Sequence, residues 1–406
     1  MGKPSVVIIG AGYGGMMTTV KLQKLLGTND ATITLVNNND YHYQTTWLHE
    51  NAAGTLHHDR TRIPIKEVID TNKVRFIKDT VVAVKPDEKK VKLGNGCLSY
   101  DILVVALGFE AATFGIPGLM ENAFAIGNIN SARLIREHIE YNFAMYHNDP
   151  KKDQARLNIV VGGGGFTGVE FLGELANRIP ELCAEYDIEK NLVRIINIEG
   201  ASTVLPNFDA QLVEYAMNSL EARGVEFVTD AMLKQCNPTD VVYEKNGKEE
   251  KIPTRTIIWA AGVRANTIVE ASGFATNHGK IEVQKDMRVP GYEDVFVLGD
   301  CAHVTDPKTG CPFPPTSQIA IQESRTVARN IKALVNGDQK LENFKAKIHG
   351  TVASLGANDA IGVVLNNRKL FGFKASIMKK VLDNRYLLQL GGVGLLMRKG
   401  KFNIFY

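Results

Sequence analysis

Val6-Val7-Ile8-Ile9-Gly10-Ala11-Gly12-Tyr13-Gly14-Gly15 is the stretch from which the rest of this chain is read. Four apolar, β-branched residues run into a glycine-rich turn, and an apolar helical pattern follows at Met16, Met17, Val20 and Leu22. Strand, tight turn and helix are the parts of a dinucleotide-binding unit, and Gly10, Gly12 and Gly15 stand in its G-x-G-x-x-G spacing. The first glycine permits the turn, the second lets a pyrophosphate approach the backbone, and the third lets the helix pack closely on the strand. The helix N-terminus then offers free N–H groups and partial positive charge to the phosphates. An ordinary strand–turn–helix has the same outline, so the match carries weight only in company.

The company lies 153 positions on, from Gly10 to Gly163. There Leu157-Asn158-Ile159-Val160-Val161 enters Gly162-Gly163-Gly164-Gly165-Phe166-Thr167-Gly168, and Gly163, Gly165 and Gly168 repeat the spacing. Two later buried strands, Asp101–Gly108 and Thr256–Gly262, end 154 positions apart. Two features in the same order at nearly one offset mark an internal repeat. The second strand of the first unit, Ala31–Val36, ends at Asn37-Asn38, where an acid usually holds the ribose; the matching Leu192–Ile198 ends at Glu199. Asp40–Trp47, polar and aromatic, reads either as a surface loop or as a loop facing a bound ring. Val74–Val84 reads as a strand returning through Lys90–Leu93 as a hairpin, and Tyr146–Gln154 as a linker. Val295–Leu298 is a short strand ending in Gly299-Asp300. Thr316–Val335 is a long helical pattern stopped by Asn336-Gly337.

A chain of 406 residues, 44% hydrophobic and 22% charged, fits two or three globular domains. The formal charge of +3 gives no case for nucleic acid, but its distribution is uneven. Residues 368–406 hold nine Lys/Arg against the one acid Asp383, a local +8 that leaves −5 on residues 1–367. A basic tail on an acidic body points to an acidic surface as partner. Within it Lys374–Tyr386 reads as helix, with Ile377, Met378, Val381 and Leu382 on one side and Lys379, Lys380, Asp383 and Asn384 on the other. The five cysteines are scattered without C-x-x-C spacing, which argues against a disulfide framework or a metal site and suits a reducing compartment. A strand begins almost at the N-terminus, so no secretory leader is expected, and no run of 18 apolar residues exists to span a bilayer.

Two dinucleotide sites in one chain suggest one flavin and one nicotinamide, with hydride passing between them. Asp300, delivered by a buried strand, is placed for a ribityl hydroxyl, although a turn-forming Asp reads the same way. The order GAGYGG, ALG, GGGFTGVEFLGEL, WAAGVR, VLGDCA and PPTSQIAIQ resembles the two-dinucleotide-binding-domain flavoproteins. Within them it resembles the type II NADH:quinone oxidoreductases, single-chain dehydrogenases of bacterial membranes that pump no protons. The resemblance spans essentially the whole chain.

The resemblance implies an α/β fold of two Rossmann-like dinucleotide-binding domains, a tandem repeat with one inserted in the other, plus a C-terminal membrane-associating region. The FAD-binding domain would comprise 1–115 and 270–340, the NADH-binding domain 116–269, and the anchoring region 341–406. FAD would lie on Gly10, Ala11, Gly12, Tyr13, Gly14 and Gly15, with Asn37 and Asn38 at the ribose and the backbone of Val81 at the adenine. Thr46, Gly108, Asp300 and Ser317 would serve the rest of the flavin. NADH would use Gly163, Gly165, Gly168 and Gly262, with Glu199 on both ribose hydroxyls disfavouring a 2′-phosphate. Glu170 would be the carboxylate beside the cofactors, a proton donor or positioning group in an apolar cleft, while Glu174, one turn on, reads as a routine helix acid. Gln318 and Gln322, one turn apart, would line a quinone pocket. The tail would bind anionic lipids peripherally on the cytoplasmic face of the cell membrane, and a homodimer is expected from the family alone. Among competing classes, a thiol–disulfide reductase needs a cysteine pair that Asn37–Glu50 lacks, and a sulfide:quinone reductase has only Cys301 and Cys311 to draw on. Another NAD(P)H-dependent flavoprotein reductase, such as a ferredoxin-type enzyme, would lack the basic apolar tail. A non-catalytic membrane flavoprotein stays open.

Overall fold

The computed structural model describes residues 2–206, 208–364 and 367–403. Two five-stranded sheets share one plan. The first runs from edge to edge Val295–Val297, Ile102–Val105, Ser5–Ile9, Thr32–Asn37, Val74–Lys78. The second runs Phe124–Ala125, Thr256–Trp259, Asn158–Gly162, Arg194–Ile198, Val225–Val228. Every neighbouring pair is parallel. Parallel sheets are covered on both faces, so their central strands are unbroken apolar runs. Val6 to Ile9 and Ile159 to Val161 accordingly lie in the core. The strands of the second sheet fall, in sequence, between Ile102–Val105 and Val295–Val297 of the first. Immediately after Gly108 and Gly262 the repeats are laced together, Phe109–Ala111 pairing antiparallel with Val263–Ala265.

Two sequence expectations change. The segment 74–84 is two strands: Val74–Lys78 in the parallel sheet, and Val81–Lys85 in a separate antiparallel sheet with Lys90–Leu93 and Gly96–Ser99. Asp79 makes the break, its carboxylate accepting from the backbone N–H groups of Thr80 at 2.7 Å and Asn95 at 3.1 Å in competition with the ladder. The polar stretch around Asp149 is a loop from helix Ile129–Asn148 to the central strand of the second sheet, not a link between units.

The C-terminal part holds an antiparallel sheet of Gly350–Ser354, Ala360–Val364 and Arg368–Phe371, then helix Gly372–Lys399, bent where Gly391 and Gly392 leave helical geometry. Ala375, Asp383, Tyr386, Leu387 and Leu390 face inward, whereas Val381, Leu382, Leu388, Val393 and Met397 are exposed. Among the described residues no helix is long and apolar enough to cross a membrane.

Candidate active site

The two glycine turns are the same device built twice. Gly10 and Gly163 have φ of +97° and +105°, which L side chains rarely adopt. A Cβ on Gly15 would sit 1.9 Å from the Gly10 carbonyl oxygen, and one on Gly168 2.1 Å from that of Gly163, so each helix rests on its own turn. A Cβ on Gly12 or Gly165 would meet nothing within 4 Å. These two residues are the N-caps of helices Tyr13–Leu25 and Phe166–Glu185, and neither helix has a side-chain cap. By contrast Asn128, Asp209 and Thr316 cap the helices that follow them. Two helix ends with free N–H groups and clear space before them fit two pyrophosphates.

The ends of the second strands also correspond. Asn37 Oδ1 accepts from the Ala11 N–H at 3.0 Å, and Glu199 Oε2 accepts from the Gly164 N–H at 2.5 Å, the same position in the repeat. Glu199 Oε1 also accepts from the Ala201 N–H at 2.8 Å. Asn37 therefore does in the first site what the acid does in the second, and exposed Asn38 stands beside it. Gly108 and Gly262 both have positive φ at the ends of their strands, and Val81 is buried.

Around the first turn, the Tyr13 hydroxyl and Thr46 Oγ1 are 2.9 Å apart. In the stretch 40–47 left open by the sequence, His42, Gln44 and Trp47 are buried, Asp40 is exposed and the others are half-buried. Among the described residues neither polar atom of the Gln44 amide has a partner. His42 is held neutral, burial pushing it down to about 4. Its Nδ1 lies 2.8 Å from the Ala11 carbonyl, which can only accept, so Nδ1 carries the proton, and Nε2 accepts from the Tyr386 hydroxyl at 2.8 Å. The C-terminal helix is thus hydrogen-bonded through His42 to the first glycine turn.

Asp300 lies on the tight turn Gly299–Cys301, in a cleft shared with Lys280, Phe313, Pro315, Thr316 and Glu323. Burial raises its carboxyl. Glu323, on helix Ser317–Val335, accepts from the Gly299 N–H at 2.6 Å and holds that turn. Burial, with the charge of Asp300 adding to it, pushes Glu323 up to about 8. Ser317 begins this helix, directly after its cap. Gln318 and Gln322 share a face as expected, but their amides bind backbone. Gln318 takes the His349 N–H and gives to the Gly350 carbonyl; Gln322 takes the Lys347 N–H and gives to the Lys347 and Gln318 carbonyls. Among the described residues the second amide hydrogen of Gln318 has no partner. Cys301 is buried, bonded to the Gly108 carbonyl and pushed up by burial to about 12, while Cys311 is exposed. That arrangement does not supply a reactive thiol pair.

Glu170 does not lie in the apolar cleft the sequence suggested. Its Oε1 takes the Lys379 ammonium at 2.6 Å and the Ser354 N–H at 3.1 Å, and its Oε2 faces His49 Nδ1 at 3.6 Å. Burial pulls Lys379 down, but Glu170, Asp383 and Glu50 outweigh it and raise the ammonium. The carboxyl shifted into the neutral range is instead Glu174: burial, then the charge of Glu50, push it up to about 7. Thr55 Oγ1 donates to it at 2.6 Å. Beside them Lys401 pairs with Glu50 and covers the Trp47 ring, whose Nε1–H donates to Asp383 at 2.8 Å. His42, His49, Glu323, Lys379 and Tyr386 were not singled out in the sequence. The one available signal was Glu323, a charge on the apolar stripe of Ile319, Ala320, Val327 and Ile331.

Two uncapped glycine-turn helices in laced repeats, with a carboxylate turn at the cleft of the first, define a pyridine-nucleotide flavoprotein reductase. The family model for pyridine nucleotide-disulphide oxidoreductases matches residues 4–326. The chain is 44% identical, over 98% of its length and 99% of theirs, to type II NADH:quinone oxidoreductases of Staphylococcus aureus strains MSSA476 and NCTC 8325. A solved structure of NDH2 from Plasmodium falciparum in complex with NADH aligns with a TM-score of 0.88 at 19% identity, covering 98% of this chain and 97% of that one. The sulfide:quinone oxidoreductase of Aquifex aeolicus shares the fold with a TM-score of 0.77 at 21% identity, over 96% and 91% of the two chains. The chain belongs to the type II NADH:quinone oxidoreductase family.

Proposed function

We propose that this chain passes hydride from NADH to a bound FAD and two electrons onward to a membrane quinone, without pumping protons. The observation that carries it is the duplicated cradle, two helix N-termini with open space before Gly12 and Gly165, in a chain 44% identical to enzymes of that name. Bound FAD supplies the two-electron step between a hydride donor and a quinone. The residues do the rest. Gly10 to Gly15, Asn37, Asn38, Val81, Thr46, Gly108, Asp300 and Ser317 hold the flavin. Gly163, Gly165, Gly168, Gly262 and Glu199 hold NADH. Glu170, kept as a carboxylate by Lys379 and the Ser354 N–H, serves beside the cofactors in positioning or in proton delivery to quinone. Gln318 reaches a quinone carbonyl with its remaining amide hydrogen, and Gln322 holds the segment at Lys347 that borders it.

The chain parcels into 1–115 with 270–340 for FAD, 116–269 for NADH, and 341–406 for the membrane; residues 365–366 and 404–406 of the last lie outside the described ones. It binds the cytoplasmic face of the cell membrane as a peripheral homodimer. Support for binding lies in the exposed apolar side chains of helix Gly372–Lys399. The basic charge contributes less than its count implies, because Lys369, Lys379, Arg398 and Lys401 are paired with acids.

Anaerobic titration of the purified yellow protein tests the function. NADH is expected to bleach the flavin absorbance and menadione to restore it; bleaching by dithionite alone rejects the proposal.

A further inference from the structure

Two helices of the first unit lie side by side: Tyr13–Leu25, which opens on the glycine turn, and Ser317–Val335, which opens at the Asp300 cleft. Positive charge collects along their seam. On the first helix Lys21 is half-buried and Lys24, one turn on, is exposed; on the second Arg325 is half-buried and Arg329, one turn on, is exposed. Like charges at these spacings repel. Burial first, then Arg325, Lys24 and Arg329, push the Lys21 ammonium down to about 8, and every charged neighbour that acts on it is a cation. Among the described residues only Arg329 of the four is paired with an acid, Glu342 at 3.1 Å, and both members of that pair are exposed. Half-buried charge without a partner is costly, and an anion seated on the seam would offset that cost.

The seam also meets the C-terminal helix. Arg325 Nη2 donates to Gln389 Oε1 at 3.1 Å, and the other guanidinium N–H groups have no partner among the described residues. Gln389 stands on helix Gly372–Lys399 beside Leu388, which is 44% exposed, and just before the bend that leads to Val393, 65% exposed. Arg385, one turn earlier on the same helix, is exposed as well. Cations tied to Gln389, with bare apolar side chains flanking it in sequence, match a phospholipid in order: phosphate first, acyl chain next. A soluble anion would use the cations and leave Leu388 and Val393 in water.

We propose that Lys21 and Arg325 seat the phosphate of an anionic phospholipid whose acyl chains run against Leu388 and Val393. This rests on the reading of the C-terminal helix as the membrane-facing element, and it adds a lipid site outside the basic tail. Arg325 takes phosphate oxygens through its fork of N–H groups, and Lys21 adds a point charge. Lys24 and Arg329 raise the positive potential around them. The lipid ties both helices to the bilayer surface.

The test uses FAD-loaded full-length protein and vesicles of phosphatidylcholine with phosphatidylglycerol. Lys21→Gln combined with Arg325→Gln is expected to lower the partition coefficient about ten-fold or more at about 0.1 M salt. Lys248→Gln combined with Lys251→Gln removes the same charge from an exposed strand of the second unit and should change partitioning by less than about two-fold. Flavin absorbance per protein and the melting temperature check that both double variants fold. A second measurement needs no variant: wild-type protein is acetylated with N-hydroxysuccinimidyl acetate and the modified lysines are mapped by mass spectrometry. Vesicles should protect Lys21 several-fold relative to Lys248. Inorganic phosphate, set against chloride at equal ionic strength, should not protect it. Wild-type partitioning by the first double variant, an equal loss in the second, or Lys21 labelled alike with and without vesicles overturns the proposal. Protection by inorganic phosphate equal to that by vesicles assigns the seam to a soluble anion and overturns it too. If wild-type protein does not partition onto these vesicles at all, the membrane reading fails instead.

Discussion

Asn37 and Glu199 answer one structural need with different chemistry, each fixing the second residue of its glycine turn through that residue's N–H. An amide suffices where only the turn must be held; a carboxylate also repels a 2′-phosphate. Glu199→Arg should raise the NADPH/NADH ratio of kcat/KM by about ten-fold or more, while weakening NADH through the lost hold on Gly164; an unchanged ratio refutes the assignment. Glu323 gives a second prediction at this scale. The native carboxyl keeps its proton to about pH 8, whereas the unfolded one releases it near 4.5. Between those values the native state binds more protons, so stability falls as pH rises. Glu323→Gln can still accept from Gly299 N–H and should flatten the decline between pH 6 and 8, by about 2 kcal/mol at most. Thermal melts at both pH values check it, and a parallel decline in the variant refutes it. Asn37, Glu199 and Asp300 were legible because they end strands whose position the glycine motifs announce. His42 and His49 were not, because Tyr386 and Glu170, which face them, lie more than a hundred residues away.

At the level of elements, the glycines of each turn separate folding from binding. Gly15→Ala puts a methyl 1.9 Å from a carbonyl oxygen of its own turn and should cost folded protein. Gly12→Ala and Gly165→Ala put theirs in open space, so both should fold. The first is expected to emerge with its flavin content cut several-fold, the second yellow but with a several-fold higher KM for NADH. Flavin absorbance per protein and steady-state kinetics separate the two; wild-type behaviour in both would refute the cradle reading. Helix Ser317–Val335 begins within one residue of its sequence pattern because Thr316 caps it through the Ile319 N–H. The C-terminal helix was legible as a helix but not in its orientation. Lys379 and Asp383 face the interior because Glu170 and Trp47 offer them partners, and Val381 and Leu382 point away from the core. Periodicity finds two faces of a helix and does not say which one the molecule keeps.

For the whole molecule, the repeated plan was the most legible feature, since two offsets of 153 and 154 residues locate both sheets. The edge strand Phe124–Ala125 was not, because two residues make too short a pattern. Membrane attachment is best tested away from the core. Val393 and Met397 are exposed and contribute about 1 kcal/mol each if buried in lipid. Val393→Asp with Met397→Asp should lower cosedimentation with anionic vesicles about ten-fold, while NADH:menadione turnover in solution stays at the wild-type level; undiminished cosedimentation refutes the assigned face.

Tyr386 reaches through His42 to the first glycine turn, and Lys379 meets Glu170, both from the same terminal helix. A protease that clipped this helix would therefore not liberate a working, water-borne dehydrogenase. It would strip a counter-ion from one centre and a strut from the other, so a single cut would disable both at once.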